Sequence, residues 1–121
     1  MRCLLVDDNA AFLESACALL DRQGVTVAGT ASNTADALRQ ASLLRPDVAV
    51  VDIGLGDENG FDLAGYLTKA GVPVIMVSTG SAADYADLVD ESPAAGFLPK
   101  IELSAAGIRG ILDRASGRQG R

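Results

Sequence analysis

Two adjacent acids, Asp7 and Asp8, a third at Asp52, a hydroxyl pair at Ser78 and Thr79, and an amine at Lys100 are the side chains best suited to act together. Carboxylates crowded into one place repel, raise at least one pKa, and are relieved by a small hard cation. Mg²⁺ is the natural candidate. It takes oxygen ligands at about 2.0 to 2.1 Å, keeps several waters, and is commonly held by one or two carboxylates plus phosphate oxygens. Mn²⁺ is accepted by the same donors. Lys100 offsets part of the repulsion and is able to bind a phosphoryl oxygen, while Ser78 adds a hydroxyl donor. The chain has no histidine, so the commonest general base is missing and any phosphoryl group must come from another molecule.

Such residues do chemistry only if the fold gathers them. Short β-branched runs alternate with longer amphipathic stretches, the pattern of a parallel sheet wrapped by helices on both faces. Strands are expected at residues 3–6, 25–31, 48–51, 73–78 and 96–98, and helices at about 10–23, 34–44, 59–70, 82–91 and 104–115. Gly24 and Gly71 follow helices, Pro46 closes the second, and Ser81 with Asp84 forms a capping box for the fourth. Gly107 and Gly110 weaken the last helix by about 1 kcal/mol each relative to alanine. The expected fold class is α/β, a doubly wound five-stranded parallel sheet of flavodoxin-like (β/α)5 form.

In open sheets of this kind, ligands bind beyond the carboxyl ends of the strands. There the first strand runs into Asp7 and Asp8, the third into Asp52, the fourth into Ser78 and Thr79, and the fifth into Lys100, whereas the second ends in uncharged Thr30, Ala31 and Ser32. This distribution suits the order 2-1-3-4-5, one of the two common doubly wound orders, with the first and third strands adjacent. Neighbouring strands lie about 4.8 Å apart, close enough for their terminal carboxylates to share one cation.

Composition narrows the classes. The 121 residues, 49% of them apolar, suit one core, expected over residues 1–116 with a disordered tail at 117–121. A net charge of −6 disfavours non-specific contact with nucleic acid or an anionic membrane. Only the end differs, where Arg109, Arg114, Arg118 and Arg121 face Glu102 and Asp113, read as a solvated helix and tail. No apolar run approaches a membrane span, and the opening MRCLLVDD enters a strand without a signal-peptide pattern, so a cytoplasmic location is expected. Cys3 and Cys17 are expected to be buried thiols.

Asp7-Asp8, Asp52 with Gly60 eight residues on, PVIMVST at the fourth strand and GFLPK at the fifth together resemble the response-regulator receiver family over essentially the whole chain. The resemblance implies that Asp52 is the nucleophile that takes a phosphoryl group from a histidine kinase or histidine phosphotransfer protein. It implies that Asp8, Asp52 and the Gly54 backbone carbonyl bind Mg²⁺ directly and that Asp7 acts through water. Ser78 and Lys100 would hold the phosphoryl oxygens, with Phe97 and Thr79 at switch positions. Output would pass through the face of helix four, strand five and helix five, to a homodimer mate or an output partner. GFLPK followed by Glu102-Leu103 also resembles receivers that precede a helix-turn-helix DNA-binding domain, which leaves a standalone and an excised regulator both open.

Three positions depart from the family pattern. Gly56 stands where proline often lies four residues after the acceptor, which predicts a more mobile loop. Ile101 replaces the proline common after the lysine, and Thr79 replaces a smaller residue and is expected to narrow access to Asp52. Rival functions fit less well. A haloacid-dehalogenase-type phosphohydrolase needs a second acid where Gly54 stands. A flavin carrier would place a phosphate loop after the first strand, where two acids lie instead, although Ser78-Thr79-Gly80-Ser81 superficially suits one. An unphosphorylated interaction module remains as the alternative, and the domain is otherwise expected to be a phosphoacceptor rather than an enzyme.

Overall fold

A computed structural model of the chain describes residues 1–119, with side chains described for residues 1–116. Strands β1 (Arg2–Val6), β2 (Thr26–Ala31) and β3 (Val48–Asp52) alternate with helices α1 (Ala10–Arg22) and α2 (Thr34–Leu44). Two short strands, β4 (Gly54–Leu55) and β5 (Glu58–Asn59), precede α3 (Gly60–Lys69), and β6 (Val74–Ser78), α4 (Ala82–Glu91), β7 (Gly96–Pro99), a 3₁₀ turn at Lys100–Glu102 and α5 (Ala105–Gln119) complete the chain. The large sheet is parallel in the order β2-β1-β3-β6-β7, which is the expected 2-1-3-4-5 once the two short strands are set aside.

Strands β1, β3 and β6 are buried along their length apart from Arg2, because both sheet faces are covered there, whereas edge strand β2 carries exposed Thr26 and Thr30. Alternate residues of β1 divide between two cores: Leu4 and Val6 meet α2 and α3 through Ala37, Ala41, Leu63 and Leu67. Cys3 and Leu5 meet α1 and α5 through Ala16, Leu20, Ile108 and Ile111. Burial on this scale contributes about 25 cal/mol per Å² of apolar surface, so the sheet is the rigid element on which the site is mounted. Of the two thiols expected in the core, Cys3 is buried and its pKa is pushed up to about 12 by burial and by the nearby Cys17. Cys17 is only half-buried, because α1 turns its edge toward solvent there, and burial raises its thiol pKa as well.

Helix ends follow the sequence signals. Gly24 and Gly71 have φ of 84° and 88°, and Ser81 and Asp84 form the reciprocal capping box of α4. Arg45 stops α2 in the left-handed region before Pro46. Gln23, at the end of α1, reaches across to accept the Ala105 backbone N–H at 2.6 Å, and Ser104 Oγ takes that of Gly107 at 2.9 Å. These two acceptors cap α5. Helix α5 continues to Gln119, past the expected end near 115 and into the segment read as a tail, since Ser116 and Gly117 lower helix propensity without removing a backbone donor. Residues 120–121 of that tail lie outside the described residues.

The second departure is the segment after Asp52. Gly54 pairs with Asn59 and Leu55 with Glu58, closing an antiparallel hairpin around Gly56 and Asp57. Gly56 has φ of 63°, a value proline is unable to adopt, and a glycine at the first central position is what a tight type II′ turn requires. The loop expected to be loose is therefore tied by its own ladder. It is also tied outward, because the Glu58 carboxylate accepts the Thr34 backbone N–H at 2.7 Å, at the start of α2.

Candidate functional site

Register gathers the site. Asp52 lies opposite Val77 and Ser78 opposite Pro99, so Asp52, Ser78 and Lys100 leave three adjacent strands at one level. On the other side of β3, the Asp7 backbone N–H extends the β1 ladder by donating to Ala31 at 3.0 Å. Asp7 is fully buried, Asp52 and Ser78 are nearly so, and Asp8 is exposed at the rim. The carboxylates of Asp7, Asp8 and Asp52 each offer an oxygen within 4.8 Å of the others.

Lys100 spans the two buried acids. Its Nζ lies 2.5 Å from Asp7 Oδ2 and 3.3 Å from Asp52 Oδ2, with only 12% of the side chain exposed. Asp7 Oδ2 has no aligned hydrogen bond and faces the ammonium as an ion pair, while Asp7 Oδ1 accepts the Asn9 N–H at 2.8 Å. Asp52 Oδ1 accepts a long contact of 3.4 Å from the Gly54 N–H. Burial and the charge of Asp7 raise the Asp52 pKa against the opposing pull of Lys100 and the Gly54 N–H. This is the rise that crowded acids predict. Burial pulls the Lys100 pKa down, but its close contact with Asp7 and the charges of both acids outweigh it, and the net shift is upward.

The donor set suits a hard cation. All three acidic residues offer oxygen, and ligands at about 2.1 Å from an octahedral ion lie about 3.0 Å apart when adjacent and about 4.2 Å when opposite. Three oxygens within 4.8 Å need little movement to reach that spacing. The residues fit Mg²⁺. Gly54, the expected carbonyl ligand, is exposed in the hairpin beside Asp52.

Ser78 Oγ accepts the Gly80 N–H at 3.2 Å, so its hydroxyl is turned into its own loop and makes no hydrogen bond to Asp52 among the described residues. Thr79 is exposed and makes no side-chain hydrogen bond among the described residues. Phe97 is half-buried and packs on Tyr85 of α4, ring centroids 5.7 Å apart. Tyr85 also covers the next loop residue, since a Cβ on Gly80 would fall 2.6 Å from its ring.

Two contributors escaped sequence reasoning. Phe12 on α1 holds its ring under the Lys100 ammonium, 4.5 Å from Nζ to centroid, where helical spacing next to Leu13 and Ala16 reads simply as core. Gly60 was noticed without a role. A Cβ there would fall 2.0 Å from the Asp52 carbonyl oxygen, and its N–H donates to Ile53 at 2.8 Å, so only glycine lets α3 start against the backbone of Asp52.

A parallel five-stranded sheet with acids at the ends of β1 and β3 and a lysine beyond β7 defines the class of doubly wound signalling domains, and comparison with known proteins makes the class specific. The response regulator receiver domain model matches residues 3–108, and the chain belongs to this family. It is 34% identical over 106 residues to the protein-glutamate methylesterase/protein-glutamine glutaminase of Idiomarina loihiensis, covering 83% of this chain and 27% of that protein. It is 33% identical over 101 residues to the sensory transduction protein LytT of Bacillus cereus, covering 83% of this chain and 41% of the relative. The chain thus spans less than half the length of either relative. Among solved structures, it resembles the signal receiver domain of a modulated diguanylate cyclase from Desulfovibrio desulfuricans G20 with a TM-score of 0.79, 26% identity, and coverage of 98% and 95%. The response regulator domain of Thermotoga maritima CheB gives a TM-score of 0.74 at 28% identity, with coverage of 98% and 94%. The chain is a receiver domain of two-component signalling.

Proposed function

We propose that Asp52 is the phosphoacceptor of this receiver, that Asp7, Asp8, Asp52 and the Gly54 carbonyl hold Mg²⁺, and that the domain signals by phosphorylation rather than by turning over a substrate. The observation that carries this reading is the convergence of three carboxylates within 4.8 Å, two of them spanned by the Lys100 ammonium. When bound, the ion supplies positive charge that keeps Asp52 ionised and screens the incoming phosphoryl oxygens. An Asp52 oxygen forms the bond to phosphorus, the P–N bond of a partner's phosphohistidine breaks, and its electron pair leaves with the imidazole, which takes up a proton. Lys100 and Ser78 donate to the transferred group. No described helix is long and apolar enough to cross a membrane, and the reading has the domain work in the cytoplasm beside ATP-supplied kinases.

Output follows from the same contacts. Ser78 leaves Gly80 to reach a phosphoryl oxygen, the 79–81 loop moves, and Tyr85 and Phe97 repack on the face made by α4, β7 and α5. A homodimer mate or an output domain reads that face. Incubation with acetyl phosphate and Mg²⁺, followed by intact-mass analysis, tests the acceptor. One added phosphoryl group is expected in the parent protein and none in Asp52→Asn; modification that persists in Asp52→Asn places the acceptor elsewhere.

A further inference from the structure

The aromatic face beneath Lys100 carries an inference that rests on the proposed phosphoacceptor reading and goes beyond it. Lys100 is the only cation near the acceptor among the described residues, and three groups hold it: Asp7, Asp52 and the Phe12 ring. The two acids are also the groups that a metal ion and a phosphoryl group would engage. Each carboxylate oxygen given to the ion is one that no longer faces the ammonium. The ring is different in kind, because it competes for no metal and carries no proton.

Local structure fixes that ring. Asn9 is the N-cap of α1; its backbone N–H donates to Asp7 Oδ1 at 2.8 Å, and its side-chain oxygen accepts the Phe12 N–H at 3.1 Å. Phe12 is thereby set by the same short turn that leaves the acidic pair, and it packs against the core shared by α1 and α5. A ring face within about 6 Å attracts an ammonium electrostatically, and more strongly where water is excluded. With Lys100 88% covered, the site meets that condition.

We propose that Phe12 is a positioning residue for phosphoryl capture: its ring holds the Lys100 ammonium over the acceptor when metal and phosphoryl oxygens take up the carboxylates. A purely structural role would be served by any apolar side chain of similar bulk. The positioning role needs an aromatic face.

Two substitutions compared with the parent separate these. Labelling by acetyl phosphate at saturating Mg²⁺ is expected to slow about three- to tenfold in Phe12→Leu and to stay within about twofold of the parent in Phe12→Tyr, as expected for loss and retention of one cation–π contact. Mg²⁺ affinity is expected to be the same in all three proteins, because the metal's oxygens are untouched. Equal labelling rates in parent and Phe12→Leu would overturn the proposal, as would a Phe12→Tyr protein as slow as Phe12→Leu, or a fall in Mg²⁺ affinity that tracks the rate. A second readout needs no phosphorylation. Ring current should shift the Lys100 ε-methylene protons upfield in the parent, and that shift should vanish in Phe12→Leu. If the parent itself takes no label, the acceptor reading fails, and the proton shift alone decides whether Phe12 holds the lysine.

Discussion

Helices α3 and α4 are both ten residues long and stand on neighbouring parts of the sheet, yet they are held in different ways. Helix α3 buries Gly60, Leu63, Ala64 and Leu67 and begins in direct backbone contact with Asp52. Helix α4 buries only Val89 and leaves Leu88 half exposed, and its start is secured by its own capping box. One helix is anchored by the tertiary structure and the other mainly by local hydrogen bonds. Few buried contacts mean a low cost of local opening, so the molecule is stiff beside the proposed acceptor and soft at the proposed output face.

The largest effect expected from this contrast is at Gly60. Alanine there would place a methyl carbon 2.0 Å from a carbonyl oxygen, and no rotamer change relieves a clash with backbone. Gly60→Ala should destabilise the domain by about 3 kcal/mol in urea unfolding, the upper range for overpacking, and should abolish labelling of Asp52. A stable, fully labelled Gly60→Ala protein would show that α3 is free to move away from the acceptor.

Charge distinguishes the two regions next. The raised Asp52 pKa means that folding without metal favours the protonated acid more than the unfolded chain does, chiefly through burial. The stability this contributes is full below the unfolded pKa and is lost as pH rises through the folded value. Asp52→Asn, which never ionises, should therefore be more stable than the parent at neutral pH without metal, with the gap closing on acidification. Mg²⁺ should stabilise the parent by about 2.7 kcal/mol at a hundredfold excess over Kd and the variant by less. Thermal melts at two pH values check both signs. A parent that outlasts Asp52→Asn at neutral pH without metal would remove the repulsion.

The smallest effect lies in α4. Ser81→Ala should cost about 1 kcal/mol, the usual loss for an N-cap. Because the cap is most of what secures that helix, amide exchange should quicken across residues 82–91 and hardly change in 60–69. A spread of faster exchange into α3 would mean that the two helices open as one unit.

Much of this was legible in the chain because each candidate site residue follows a short, mainly apolar run, and a parallel sheet brings such ends to one side whatever the helices do. Asp7, Asp52, Ser78 and Lys100 were found in that way. The hairpin after Asp52 was not, because glycine permits both a loose loop and a tight turn, and two-residue strands leave no periodicity. Gly56 was read as freedom where its positive φ closes a turn. Phe12 was hidden for a related reason: a ring that packs against the core and offers its face to a cation has the same helical spacing as an ordinary core residue. The extent of α5 depended on its last turns, where weak propensities leave helix and coil nearly balanced.

The cap that Gln23 places on Ala105 has a consequence for the order in which the molecule is made. The acceptor of that hydrogen bond leaves the ribosome 82 residues before its donor. Until Ile108 and Ile111 arrive, the face of the sheet bearing Cys3, Leu5, Val48 and Ile75 has only α1 to cover it. A nascent chain that has already produced every acid of the site is therefore still missing one wall of its core, and cooperative folding waits for the final helix.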